Sequence, residues 1–361
     1  MSEAPVVVRR VIVPDDIAAP DAADFIAMAE LRNDVARERT GHDLLAYAPA
    51  ELLPGWQNQE DSAGQAWLAF RGGEAIARFY LERPMEDGSE VADMGLDVRA
   101  AAWDPGLVDE GFRIVEEAAR AHGRRIMQTW TFHRPDDDLP ALASPTGFGS
   151  IPRDDYAQAF LAHGYVLEQV ERNSALDLHG GGATIERLHA EALAAASDRY
   201  RLVSWTLPTP DHLVPGYAWL MSRMSTDAPS AGMVWDEETW DAARLRRYEK
   251  EVLDAGRFGH IVAAEHIDRG TLVAFNELFV DGDRTGVTEQ NATLVLREHR
   301  GHRLGMLVKA ANLLAWRELV PDSAQVTTFN AEENRPMLDI NEALGFVAVS
   351  YAGAWKKTLD A

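Results

Sequence analysis

The chain has 361 residues, with 35 basic and 58 acidic side chains, a formal net charge of −23 and no cysteine. Such acidity repels phosphate polymers and anionic headgroups, which excludes non-specific nucleic-acid and membrane-surface binding. The missing cysteine excludes disulfides, thiolate metal sites, iron–sulfur clusters and cysteine nucleophiles. A chain this long with 46% hydrophobic residues is expected to build about two cores.

Met1–Arg10 lacks the basic start and apolar stretch of a secretory leader. No run reaches the roughly 18 apolar residues of a membrane span. A cytoplasmic protein is expected, monomeric or homodimeric.

In the first half, Trp67–Phe70 and Ile76–Leu81 flank Gly72-Gly73 as a hairpin. Glu90–Val98 reads as a strand, Val108–His122 as a helix, Ile126–Thr131 as a strand and Asp154–His163 as a helix. Asp136-Asp-Asp138 between prolines reads as a solvated loop. Gly180-Gly181-Gly182, the only triple glycine, reads as a linker before an apolar helical pattern at Ile185, Leu188 and Leu193. His179 makes it His-Gly-Gly-Gly, but no Gly-x-Ser-x-Gly elbow exists to use it as an oxyanion hole.

Beyond the glycines, Pro208–Arg257 reads as helices with breaks, its aromatics Tyr217, Trp219, Trp235 and Trp240 in the core. Ile261–Glu265 and Leu272–Val280 form a hairpin around Asp268–Gly270, and Gly286–Leu296 is a strand. Leu304–Leu319 follows helical periodicity, Gln325–Phe329 is a strand, Glu332–Ala343 a helix, and Val347–Lys356 a last strand or pair of strands. The order is mixed α/β, and the first half repeats it faintly at a period of about 180 residues. The expected domains are residues 1–179, a linker at 180–184, and residues 185–361.

Charge is uneven along this order. Residues 1–182 carry 16 basic and 32 acidic side chains, net −16, and residues 183–361 carry net −7. Within the second half, Asn291–Arg317 carries Arg297, Arg300, Arg303, Lys309 and Arg317 against Glu298 alone, net +4. There a strand runs through Arg300-Gly-His-Arg-Leu-Gly305 straight into a helix. A helix N-terminus offers unpaired N–H groups and a positive dipole end, so an anion site is expected.

Arg300-Gly301-His302-Arg303-Leu304-Gly305 resembles the Gln/Arg-x-x-Gly-x-Gly/Ala pyrophosphate loop of the GNAT superfamily of acyl-CoA-dependent N-acyltransferases, with Arg303 replacing the middle glycine. Asn330-Ala-Glu-Glu-Asn334 followed by Asn341-Glu-Ala-Leu-Gly-Phe346 resembles the family's fourth helix and the strand after it. The first half has Val98–Gly106 in place of a loop, with Asp104 and Pro105, and resembles a degenerate copy unable to hold CoA phosphates. The two-copy layout is similar to actinobacterial tandem acetyltransferases of the mycothiol-synthase type.

The resemblance implies acetyl-CoA as cosubstrate and attack on its thioester by the primary amine of a small molecule, bound between the copies. It implies pantetheine contacts from Leu294, Val295 and Leu296, pyrophosphate contacts from residues 300–305, and ordering of the pantetheine or the strand end by Asn330 and Asn334. Asn334 also suits a helix N-cap. Glu277 or Glu289 would be the base, burial favouring Glu277. The family's usual tyrosine acid is replaced by Asn341, leaving hydrogen-bond donation to the thiolate, or Tyr351. That replacement keeps open a non-catalytic CoA-binding module, and an acyltransferase acting on a peptide or protein amine is the other alternative. No histidine spacing or complete calcium loop calls for a metal.

Overall fold

A computed structural model describes residues 4–136, 138–227 and 230–360; Asp137 of the acidic loop lies outside them. The chain divides into two compact units. The first comprises residues 1–172, 230–236 and 350–361, the second residues 173–229 and 237–349.

The first unit begins with β1 (Val6–Arg10), α1 (Ala23–Thr40) and α2 (Pro49–Gln57). The hairpin β2 (Ser62–Arg71) and β3 (Glu74–Pro84) leads to β4 (Val91–Val98), α3 (Pro105–Ala121) and β5 (Ile126–His133). A small pair, β6 (Ala141–Ala143) and β7 (Ser150–Pro152), precedes α4 (Asp155–Ala162) and β8 (Val166–Asp177). The strand order is β1-β2-β3-β4-β5, antiparallel except for the parallel β4–β5 pair. Tyr351–Thr358 then pair antiparallel with β5. One face buries Phe79, Leu96, Phe112, Phe160 and Trp355, and the α1–α2 face buries Phe25, Met28, Leu53 and Leu68.

Helix α3 starts where it does because Pro105 fits the first helical position and the Asp104 carboxylate accepts the Leu107 N–H at 3.0 Å. A fixed negative charge therefore occupies the helix end at which an anion would bind.

The second unit holds α5 (Gly182–Ala196), β9 (Tyr200–Thr206), α6 (Val214–Asp227) and α7 (Ala242–Asp254). The hairpin β10 (Phe258–His266) and β11 (Thr271–Val280) is followed by β12 (Thr288–Val295), α8 (Leu304–Leu319), β13 (Gln325–Ala331), α9 (Arg335–Leu344) and the start of β14 (Val347–Thr358), whose residues from Ser350 on belong to the first unit. Its strands run β9-β10-β11-β12-β13, all antiparallel except the last pair. Strand β11 is buried on both faces. Val262, Leu278, Leu307 and Trp316 fill the α5–α8 side, and Trp205, Tyr217, Phe275 and Leu294 fill the α6–α7 side.

Two expectations need correction. Trp219 and Trp235 are exposed rather than core, although Tyr217 is fully buried and Trp240 half-buried. Helix α9 starts at Arg335 rather than Glu332, because Pro336 is tolerated only in a first helical turn.

Candidate active site

The site in the second unit begins with a gap in its sheet. Strands β12 and β13 pair in parallel only at Thr288–Val326 and Glu289–Thr327. Past a last tie from the Thr328 hydroxyl to the Gln290 carbonyl at 3.0 Å, the two strands separate. Across β12, pairing with β11 continues to Val295, broken by a bulge between Asn276 and Leu278. A bulge re-aims side chains and leaves backbone groups unpaired.

Glu277 sits in that bulge, 1% exposed. Its carboxylate accepts the Tyr217 hydroxyl from α6 and the Ala292 N–H of β12 at 3.2 Å. Burial pushes its pKa up to about 7 against the opposing pull of those two donors. Glu289 is differently placed. It lies at the paired start of β12, in an ion pair with Arg257 at 3.0 Å.

Polar groups gather at the gap from α8, α9 and the strand ends. Lys309 of α8 is buried and donates its ammonium to Asn341 Oδ1 at 2.7 Å. Asn341 Nδ2 in turn donates to Asn330 Oδ1 at the end of β13, also at 2.7 Å. Burial holds the Lys309 ammonium down to about 7. Because an ammonium only donates, it forces the Asn341 oxygen toward itself and the amide N–H groups away. Gln290 is buried on β12, and neither polar atom of its side-chain amide has a hydrogen-bond partner among the described residues. A buried amide left unpaired is costly and marks a place where a ligand would bond.

At the other end of the gap the chain enters α8 through the loop 296–303. Arg303 adopts a left-handed conformation (φ 56°) at the helix N-cap, with no side-chain cap. Gly301 has φ 85° and open space where a side chain would project. The first backbone hydrogen bond into the helix is Leu307 N–H to the Arg303 carbonyl. The N–H groups of Gly301 to Met306 therefore donate to no protein acceptor among the described residues, forming a concave row of donors at a positive helix end. Gly305 packs close under Ile340 of α9, where there is little room for a larger residue.

Four of the five cations of the basic island separate by role. Arg300 and Arg303 are exposed at the loop. Arg300 Nε donates to the Val295 carbonyl at 3.1 Å, and Arg303 pairs loosely with Glu191 at 3.4 Å. Arg297 is held by Asp227 at 3.3 Å, and Lys309 is inside. His302 lies 3.0 Å from Arg199, while His299 is buried against the Tyr200 hydroxyl at 2.9 Å. Burial lowers the His299 pKa.

Of the proposed pantetheine strand, Leu296 spends its N–H on the Val273 carbonyl and the Leu294 side chain is in the core. Asn334 holds the N-cap position of α9, but its side chain makes no capping bond. Tyr351 lies in the first unit, register-paired with His133. Sequence reasoning missed Tyr217, Gln290 and Lys309 as site residues. Lys309 alone carried a signal: a charge on the apolar stripe of a helix. No metal-ligating cluster of three or more His, Asp or Glu occurs among the described residues.

The architecture matches solved structures along the whole chain. It superposes on a tandem GNAT protein from the clavulanic acid biosynthesis pathway with a TM-score of 0.73 at 22% identity, covering 99% of both chains. A GCN5-related N-acetyltransferase from Sphaerobacter thermophilus matches over 99% of this chain and 98% of its own at a TM-score of 0.61 and 15% identity. A glucosamine N-acetyltransferase region of a fungal multi-domain β-N-acetylglucosaminidase matches at 0.58 and 12% identity, this alignment spanning 38% of that chain. No family model matches the sequence, and no curated protein matches it either. The fold is thus a tandem GNAT fold.

Proposed function

We propose that the second unit is an acyl-CoA-dependent N-acyltransferase, using acetyl-CoA and acting on the primary amine of a small molecule. The observation that carries this reading is the row of unpaired N–H groups from Gly301 to Met306, flanked by Arg300 and Arg303 and opening onto a split in the sheet. Those residues fit a pyrophosphate, and the orphaned Gln290 amide fits an acyl or pantetheine carbonyl. In this reading Asn330, at the end of β13, and Asn334, at the start of α9, order the pantetheine or the strand end, and Val295 offers the β12 backbone to the pantetheine.

Glu277 is the base in this reading. A carboxylate held near pH 7 is half ionised at neutral pH and able to take a proton from an ammonium, directly or through one water. Glu289, tied to Arg257, is the weaker candidate. Asn341 presents an amide N–H to the developing thiolate, its orientation fixed by Lys309. The first proton of the ammonium leaves on Glu277, the second passes from the nitrogen of the tetrahedral intermediate to the departing sulfur, and the new amide bond replaces the thioester as CoA leaves as the thiol.

The test is calorimetric titration with acetyl-CoA, followed by a thiol-release assay over a panel of small amines and N-terminal peptides. Saturable binding with release on a small amine supports the proposal. Binding without release on any amine favours a CoA-binding module, and release on peptides alone moves the acceptor to proteins.

A further inference from the structure

The first unit contains a cavity of about 140 Å³, enclosed by α1, β3, β4, β5 and α4. Its strands part as those of the second unit do: β4 and β5 pair in parallel only from Val91–Ile126 to Asp93–Gln128, and the cavity opens past that point. Ala77 of β3 opposes Val98, the last residue of β4, as Ala274 of β11 opposes Val295, the last of β12. Counting along the matched hairpins, Tyr80 stands where Glu277 stands in the second unit. The carboxylate of one unit is replaced in the other by a phenol among guanidinium groups.

Three arginines line this cavity. Arg78 is bound to Asp97 at 2.6 Å, and Arg39 to Asp154 at 2.5 Å with its guanidinium 3.9 Å over the Tyr156 ring. Arg32 has no carboxylate partner among the described residues. Its guanidinium donates to the Leu45 carbonyl at 2.8 Å and to Asn33 at 3.0 Å. Burial lowers its pKa, opposed by Tyr47, Asp97 and Tyr80 and reinforced by the nearby Arg78 charge. The Tyr80 hydroxyl, half-buried beside Arg78, makes no hydrogen bond among the described residues. Its ring occupies the space a side chain at residue 95 would need, so Gly95 is what admits it. Arg39 and Arg78 are thus each paired with a carboxylate and Arg32 is not, while Glu82 and Asp93 act on Tyr80 without pairing with a cavity arginine and the Tyr80 hydroxyl is a spare donor.

We propose that this cavity is a binding site for a small monocarboxylate, held by Arg32 and the Tyr80 hydroxyl. The single unmatched charge calls for a monoanion. A planar carboxylate accepts side-on from a guanidinium with an oxygen left for the phenol. Size sets the other limit. A cavity of about 150 Å³ holds benzene, so about six non-hydrogen atoms fit, which admits acetate through butyrate and excludes longer chains and any nucleotide. This inference is independent of the proposed acyl transfer, since no residue of the second unit enters it.

The test is calorimetric titration of the full-length chain, at low ionic strength, with sodium acetate, butyrate, hexanoate, phosphate and chloride. Saturable binding of acetate and butyrate, with hexanoate at least tenfold weaker, is the expected result. Arg32→Gln should weaken acetate binding tenfold or more, and Tyr80→Phe, which keeps the ring that the pocket packs around, by threefold or more. Circular dichroism confirms that each variant is folded. The proposal is overturned if no carboxylate binds saturably up to 50-fold above the protein concentration needed for detection. It is overturned equally if phosphate or chloride binds as tightly as acetate, or if Tyr80→Phe, folded, binds acetate as the parent does.

Discussion

Lysine 309 opposes folding at the position where the site needs it. Its ammonium is buried with Asn341 Oδ1 as its hydrogen-bond acceptor, and burial moves its pKa from an ordinary 10.5 down to about 7. Between those two values the unfolded chain binds one more proton than the folded chain, so this group makes stability rise with pH. At pH 7 the resulting penalty is about 4 kcal/mol, and by pH 10 it falls to about 1 kcal/mol. Lys309→Met keeps the volume and removes the titrating group. It also leaves the Asn341 oxygen without its donor, at a cost of about 1–2 kcal/mol. The variant should therefore be more stable than the parent by about 2–3 kcal/mol at pH 7, raising the melting midpoint by roughly 5–10 °C for a unit of this size. At pH 10 the advantage should vanish or reverse. Urea unfolding followed by tryptophan fluorescence at both pH values measures it. A variant less stable than the parent at pH 7, or a difference that does not change with pH, would show that the lysine is not held as a destabilised buried cation.

Three other outcomes follow from the site. Arg300→Ala combined with Arg303→Ala should weaken acetyl-CoA binding at least tenfold by calorimetry, since two charge-assisted contacts are removed; unchanged affinity refutes the loop assignment. Glu277→Gln should lower kcat by about 10² to 10⁴. In the parent, kcat/KM should rise with pH through about 7 as the raised carboxyl ionises, and in the variant that limb should be gone. Glu289→Gln showing the larger loss would exchange the two roles. Gln290→Leu should stabilise the second unit by about 1–3 kcal/mol in denaturant titrations, because an unpaired buried amide is removed, while weakening acyl-CoA binding; a destabilised variant would mean the amide is satisfied in the folded protein.

Local patterns made the second unit legible. Leu304–Leu319 is a helix over the very residues its periodicity marks, and the strand–loop–helix order at Arg300–Gly305 is where the donor row lies. The first unit read less completely because its signals are weaker. Helix α1 carries alanines and charges around most of its circumference and starts at Ala22 without a side-chain cap, so neither periodicity nor capping marks it. Residues 351–358 pair with β5, a partner more than 200 residues earlier, and nothing in a local sequence window encodes a pairing at that range.

The site residues divide along the same line. Those that hold an anion through backbone geometry were visible, because glycine and arginine before a helix leave a local trace. Those that tune protons were visible only in part: Glu277 and Asn341 could be named as candidates, but Lys309 could not, and all three acquire their properties from neighbours on other elements. Glu277 owes its raised pKa to a bulge that places it between Tyr217 of α6 and the Ala292 N–H of β12. Lys309 owes its lowered pKa to enclosure between α8 and α9. The replacement of the usual tyrosine by Asn341 looks, from sequence, like the loss of an acid. With Lys309 donating to its oxygen, Asn341 serves in the proposed reading as an oriented donor whose geometry depends on a buried charge. A site of this kind needs a thiolate that leaves without receiving a proton from the protein, and so favours thioester chemistry over amide or ester donors, whose leaving groups are far more basic.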